Sequence, residues 1–151
     1  QDTQVLPGKG AIQPTLWESS PGSVHALVRT CGGKIWRSDS SDYGRTWTPL
    51  YATGLPNNNS GIDVVGLKDG RIFLIFNPVG EGGIRTPLDL AVSKDNGRTF
   101  KVIAHLEEEP DPKSEFSYPA IIATKQGLVV TYTFKRNNVR CWQIPWSLLP
   151  E

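Results

Sequence analysis

A chain of 151 residues is about one domain's worth, and sixteen Lys and Arg against fifteen Asp and Glu leave a formal charge of +1. That balance excludes a polybasic nucleic-acid binder and an acidic disordered tail. Fifteen Gly and twelve Pro exclude an all-α fold, and no apolar run approaches the ~20 residues that span a bilayer, so neither a nucleic-acid nor a membrane partner is expected.

The apolar residues alternate over short runs punctuated by Gly, Asn, Asp and Pro, which predicts a nearly all-β chain of many short strands. In chain order, Ala11-Ile-Gln-Pro-Thr-Leu-Trp opens the first strand, and Gly22-Ser-Val-His-Ala-Leu-Val turns into the second. Gly70-Arg-Ile-Phe-Leu-Ile-Phe and Gly127-Leu-Val-Val-Thr-Tyr-Thr repeat that glycine-then-strand pattern at roughly the ~40–50-residue period of a four-stranded propeller blade. A second repeat overlays it. Residues 40–47 and 93–100 both read Ser-x-Asp-x-Gly-x-Thr-aromatic. In that spacing Ser40 and Ser93 precede Asp42 and Asp95, whose carboxylates accept from their own turns. Gly44 and Gly97 take the positive φ, and Trp47 and Phe100 pack between sheets.

With these two Asp-box turns, the chain resembles the Asp-box β-propellers of the sialidase superfamily, the branch with BNR repeats. The likeness runs from Ala11 through Ser60-Gly-Ile-Asp to Phe116-Ser-Tyr-Pro-Ala-Ile-Ile. It implies one partial propeller domain over residues 1–151, of about three four-stranded antiparallel blades near 11–50, 61–106 and 117–145. Such a chain is the C-terminal half of a six-bladed ring. The open ring edges lead us to expect a second polypeptide carrying the N-terminal blades, or self-association. An absence of Met, with Gln first, agrees with a longer gene product. An extracytoplasmic setting is expected, with a cytoplasmic one left open.

Counting strands puts the glycine turns and Asp boxes at one end of the blades. Gln13, Arg29, Asn59, Ser60, Asp63, Arg85, Tyr118, Lys135 and Arg136 fall at the other, where propellers bind ligands. Arg29 closes an apolar strand, where a guanidinium is costly unless it meets an anion. It and Arg85 either pair with local acids or converge on a planar carboxylate. The resemblance implies the second reading, with Arg29 and Arg85 as two of three substrate arginines. It also implies Tyr118 as the nucleophile of a retaining exo-glycosidase, a known departure from the two-carboxylate scheme. Gln13 stands where the family has the Glu that would deprotonate that phenol, and an amide cannot take the proton.

Glu18 is read as pointing to the opposite strand face, and Glu115 as an ordinary loop carboxylate. Asn59, Ser60 and Asp63 are expected to contact sugar hydroxyls, although turn chemistry alone also explains Asn there. Lys135 and Arg136 read as a solvated charge pair, and Asn58-Asn59-Ser60 is the single glycosylation sequon. His25 and His105 stand isolated, so neither a metal site nor a His-based triad is expected. No cofactor is required, because Arg supplies the positive charge. Cys31 and Cys141 allow one disulfide or two free thiols. The expected function is recognition of a carboxylate-bearing glycan, with glycosidic cleavage if a base survives. Its rivals are a lectin that has lost turnover and a propeller that binds protein.

Overall fold

A computed structural model describes residues 10–151. The strands are β1 (Ile12–Ser20), β2 (Ser23–Arg29), β3 (Lys34–Ser40), β4 (Tyr51–Pro56), β5 (Asp63–Gly66), β6 (Ile72–Phe76), β7 (Leu88–Ser93), β8 (Lys101–Glu107), β9 (Phe116–Ala123), β10 (Gly127–Phe134) and β11 (Asn138–Pro145). A single 3-10 turn, Trp146–Leu148, follows. Each sheet is an antiparallel meander: β1 to β4 and β5 to β8 are four-stranded, whereas β9 to β11 is a three-stranded sheet with β11 at its edge. The all-β blade architecture expected from the sequence is therefore the fold, with two corrections. The first blade continues through Pro56 rather than ending at residue 50, because the chain re-pairs with β3 only from Tyr51, after Pro49. The third blade lacks a fourth strand among the described residues.

Two apolar layers hold the blades together. Leu27, Ile35 and Trp17 of the first blade meet Ile72, Leu74 and Phe76 of the second. The alternate residues Phe73 and Ile75 face Phe116, Ile121, Leu128 and Val130 of the third. The middle blade is thus buried on both faces, which is why Ile72-Phe-Leu-Ile-Phe is continuously apolar rather than alternating. Fully burying side chains of this size contributes about 1.5–3 kcal/mol each.

The two Asp boxes lie between third and fourth strands, as their spacing predicts. The Ser40 hydroxyl donates to Asp42 (2.8 Å), which also accepts from the Thr46 hydroxyl (2.6 Å) and backbone (2.8 Å). Asp95 repeats this with Ser93 (2.7 Å) and Thr99 (2.6 and 2.9 Å). The donation from Thr46 holds the Asp42 carboxyl at about 2. Burial opposes ionisation of Asp95, but its Thr99 and Ser93 bonds prevail and hold it at about 2 as well. The second box also docks on the first blade. The Trp17 indole donates to Asn96 (2.9 Å), and a Cβ on Gly97, whose φ is +72°, would stand 2.8 Å from that indole.

Cys31 and Cys141 are free and exposed, which decides between the two redox readings left open by the sequence.

Candidate functional site

The rim opposite the Asp boxes is built by local irregularities in the first strand of a blade. The β1–β2 register jumps between Ile12 and Pro14, and the β9–β10 register jumps between Thr131 and Thr133. Gln13 and Tyr118 are the extra residues of these two bulges, with φ of 51° and 52°; Asn59, in the loop before β5, has a φ of 66°. A bulge re-aims its side chain relative to the pleat, and left-handed backbone at non-glycine residues concentrates at functional positions. The parity argument that separated Glu18 from Gln13 therefore fails at the bulge. Glu18 is nevertheless remote from the rim, because its carboxylate accepts from the Gly22 N–H (2.8 Å) at the turn end of the blade.

Gln13, Arg29 and Asn59 form one cluster. Arg29 is only 7% exposed; its Nη1 donates to Gln13 Oε1 (2.7 Å) and its Nε to Asn59 Oδ1 (3.0 Å). Neither partner is charged, and no ion pair to Arg29 forms among the described residues. Fully buried Asn57 steadies this corner by accepting from Thr30 N–H (3.2 Å) and donating to Ser60 carbonyl (3.0 Å).

The second cluster is ionic. Arg85 lies with its guanidinium carbon 5.0 Å from the centre of the Tyr118 ring, and its Nη1 donates to Glu115 Oε1 (3.0 Å). Glu115 Oε1 also accepts from Ser117 (2.7 Å), and its Oε2 accepts from Arg136 Nε (2.6 Å). Burial alone would raise the Glu115 carboxyl, but the Ser117 and Arg136 hydrogen bonds and both arginine charges hold it below the usual range. So held, it is a weak base. Arg85 lowers the Tyr118 phenol, first by hydrogen bonding and then by its charge, with Arg29 and Arg136 adding to the effect. The two clusters adjoin, since a Cβ on Gly61 would stand 3.4 Å from Tyr118 Cα.

The rim thus gathers Gln13, Arg29, Asn59, Arg85 and Tyr118 from three blades. Two other expected contacts are placed differently. Ser60 is fully buried and its hydroxyl donates to Asn58 Oδ1 (2.5 Å), so it offers nothing to the mouth. Asp63 commits both oxygens to the interior, accepting from Thr15 Oγ1 (2.6 Å) in the first blade and Ile121 N–H (2.8 Å) in the third. It joins the three inner strands rather than facing a sugar. Lys135 pairs with Glu109 (2.6 Å). Sequence reasoning missed Asn77, fully buried, whose Nδ2 donates to the Pro87 and Phe116 carbonyls (2.8 and 3.1 Å) and so ties the Arg85 loop to the Tyr118 strand. An Asn-Pro pair ending an apolar run was its signal.

Residues 1–131 match the model of the BNR repeat-like domain. The chain belongs to that family. This BNR repeat-like chain is similar in structure to the NanB sialidase of Streptococcus pneumoniae, at 17% identity and a TM-score of 0.66 over 87% of this chain and 21% of that one. It is also similar to a Penicillium chrysogenum α-L-arabinanase complexed with arabinobiose, at 19% identity and a TM-score of 0.67 over 85% of this chain and 42% of that one. A Trypanosoma rangeli sialidase in complex with 2,3-difluorosialic acid gives 14% identity and a TM-score of 0.65 over 83% and 21%. At such identities the likeness is one of fold, and the BNR repeat-like chain spans less than half the length of each of these proteins. No curated protein matches it.

Proposed function

We propose that the rim of Arg29, Arg85 and Tyr118 binds a glycan that bears a carboxylate. The observation that carries this reading is Arg29, a buried guanidinium whose partners are two amide oxygens. A buried cation without a counter-anion is costly, and a planar carboxylate on the unused edge of the fork supplies both charge and paired acceptors. Arg85 and Arg136 share Glu115, which leaves a further net positive charge beside the site. The Tyr118 ring, stacked on Arg85 and 48% exposed, offers a flat apolar floor to a sugar ring.

Binding without turnover is the favoured form. Gln13 cannot accept a proton, and Glu115 is held by three donors. Retaining hydrolysis with Tyr118 as nucleophile is the second reading, and one observation favours it: Arg85 makes the phenol easier to ionise. A glycan array with sialylated, uronate and neutral members, combined with a fluorogenic sialoside assay, separates the two. Retention on acidic glycans without turnover is expected. Turnover abolished by Tyr118→Phe would establish the enzyme, and indifference to acidic glycans would end the proposal.

We also propose that a second polypeptide carrying further blades covers the outward face of the first blade. Ile12 and Leu16 are 47% and 52% exposed there, and with Trp47 and Leu50 they border an apolar hollow of about 300 Å³. The structural relatives are more than twice as long as the stretch this chain covers, which supports further blades packing on that face. Native mass measurement of source material should find a species near twice the 16.6 kDa of this chain. A stable monomer would contradict it.

A further inference from the structure

A cavity of about 730 Å³ lies not at the arginine rim but at the Asp-box end, between the first and second blades. Ser19, Trp17, Lys68, Asn96 and Arg98 help to line it. In its wall, contrary to the expectation of an isolated histidine, Ser19 Oγ lies 2.8 Å from His25 Nε2, and His25 Nδ1 lies 2.5 Å from Asp39 Oδ1. Ser19 is exposed and sits where the β1–β2 register shifts between Glu18 and Ser20, so its side chain departs from the strand's alternation. His25 is buried, and Asp39 is anchored by Arg37 Nε (2.9 Å) and the Tyr51 hydroxyl (2.8 Å).

The hydrogen-bond network assigns the protons. Two groups meet His25 Nδ1, Asp39 Oδ1 at 2.5 Å and Arg37 Nη2 at 3.1 Å; the nearer, a carboxylate, accepts only, so Nδ1 donates to Asp39 and the Nε2 lone pair faces the Ser19 hydroxyl. Asn96 Oδ1 takes the Trp17 indole N–H, which turns its Nδ2 toward His25 Nε2 at 3.1 Å, the longer of two contacts to that nitrogen, the Ser19 hydroxyl at 2.8 Å being the shorter. When the Nε2 lone pair takes up the Ser19 proton, the Asn96 amide N–H loses its acceptor there and is free to donate to a developing oxyanion.

We propose that Ser19, His25 and Asp39 form a nucleophilic acyl-transfer centre for carboxylic esters that carry a negative charge. Lys68, Lys94 and Arg98 outnumber Glu18 and Asp95 on the cavity wall and supply the attraction for such esters. Ser19 Oγ attacks the ester carbonyl carbon while its proton passes to His25 Nε2, and the carbonyl oxygen becomes an oxyanion facing Asn96 Nδ2. The bond to the alcohol oxygen then breaks, and that oxygen leaves with the proton from His25, giving acyl-Ser19. Water, deprotonated by His25, attacks the acyl carbon, and Ser19 departs with the proton it regains. The sum is ester plus water to acid plus alcohol. Asp39 holds the imidazole in its tautomer and stabilises the cation formed in each half.

Treatment of the full chain with a fluorophosphonate probe, read by intact mass and peptide mapping, tests the centre. One adduct on Ser19 is expected, formed about 10²–10⁴-fold faster in the native chain than in the urea-unfolded one, the range that general-base assistance supplies. Ser19→Ala should abolish it, Ser20→Ala should not, and 4-nitrophenyl hemisuccinate should be hydrolysed faster than 4-nitrophenyl acetate. An unlabelled Ser19, equal labelling of native and unfolded chains, or labelling without hydrolysis of either ester would overturn the proposal. Labelling that persists at the same rate in folded His25→Asn would overturn it too.

Discussion

Arg29→Met should weaken binding of an acidic glycan by about 2–5 kcal/mol, the usual cost of removing one partner from a buried, hydrogen-bonded charge pair. In a titration that is a rise in Kd of roughly 30-fold to several thousand-fold. The same substitution should leave the melting temperature unchanged or raise it. The free protein holds this guanidinium 7% exposed against two neutral amides, so exchanging it for an apolar side chain of similar length relieves a cost. Gln13 and Asn59 can turn to water at the rim. A residue whose removal costs binding and not stability is a ligand residue. The opposite pattern, a large fall in melting temperature with affinity for acidic glycans intact, would assign Arg29 to structure and remove the main support for an anionic ligand.

The second large effect is expected at Asp63, and in the other observable. Asp63→Ala should destabilise the chain by about 3 kcal/mol, because it strands the Ile121 N–H and the Thr15 hydroxyl. Asp63→Asn should also lose stability. With its oxygen toward Ile121 N–H, the new amide can donate to the second lone pair of Thr15 Oγ1, which already accepts from Val64 N–H (3.0 Å), but the Thr15 O–H then loses the carboxylate that accepted from it. Urea denaturation reads both variants. A folded Asp63→Asn protein should bind glycans like the parent. Unchanged stability with lost binding would restore Asp63 to the sugar-contact role that its place in the sequence suggested.

What the sequence disclosed, and what it hid, follows from the range of each interaction. The Asp boxes were legible because every bond that defines them spans five residues or fewer, from Ser40 to Thr46 and again from Ser93 to Thr99. The sheet order was legible because each strand pairs with its neighbour in sequence. Arg29 and Tyr118 stood out as costly or distinctive groups at strand ends. The bulges at Gln13 and Tyr118 were hidden, since strand parity assumes an unbroken register. Asp63 misled because its partners, Thr15 and Ile121, lie 48 and 58 residues away. His25 looked solitary for a similar reason: Asp39 and Asn96 reach it across a sheet and across a blade boundary.

The bulged residues have a consequence for how this scaffold accommodates change. Each lifts one rim side chain out of the in-and-out rhythm that the rest of its strand must obey to keep two neighbouring layers dry. Position 13 can exchange amide for acid, and position 118 phenol for another ring, while Thr15, Trp17 and Ile121 below them keep their places. Innovation at the mouth is mechanically insulated from the foundation.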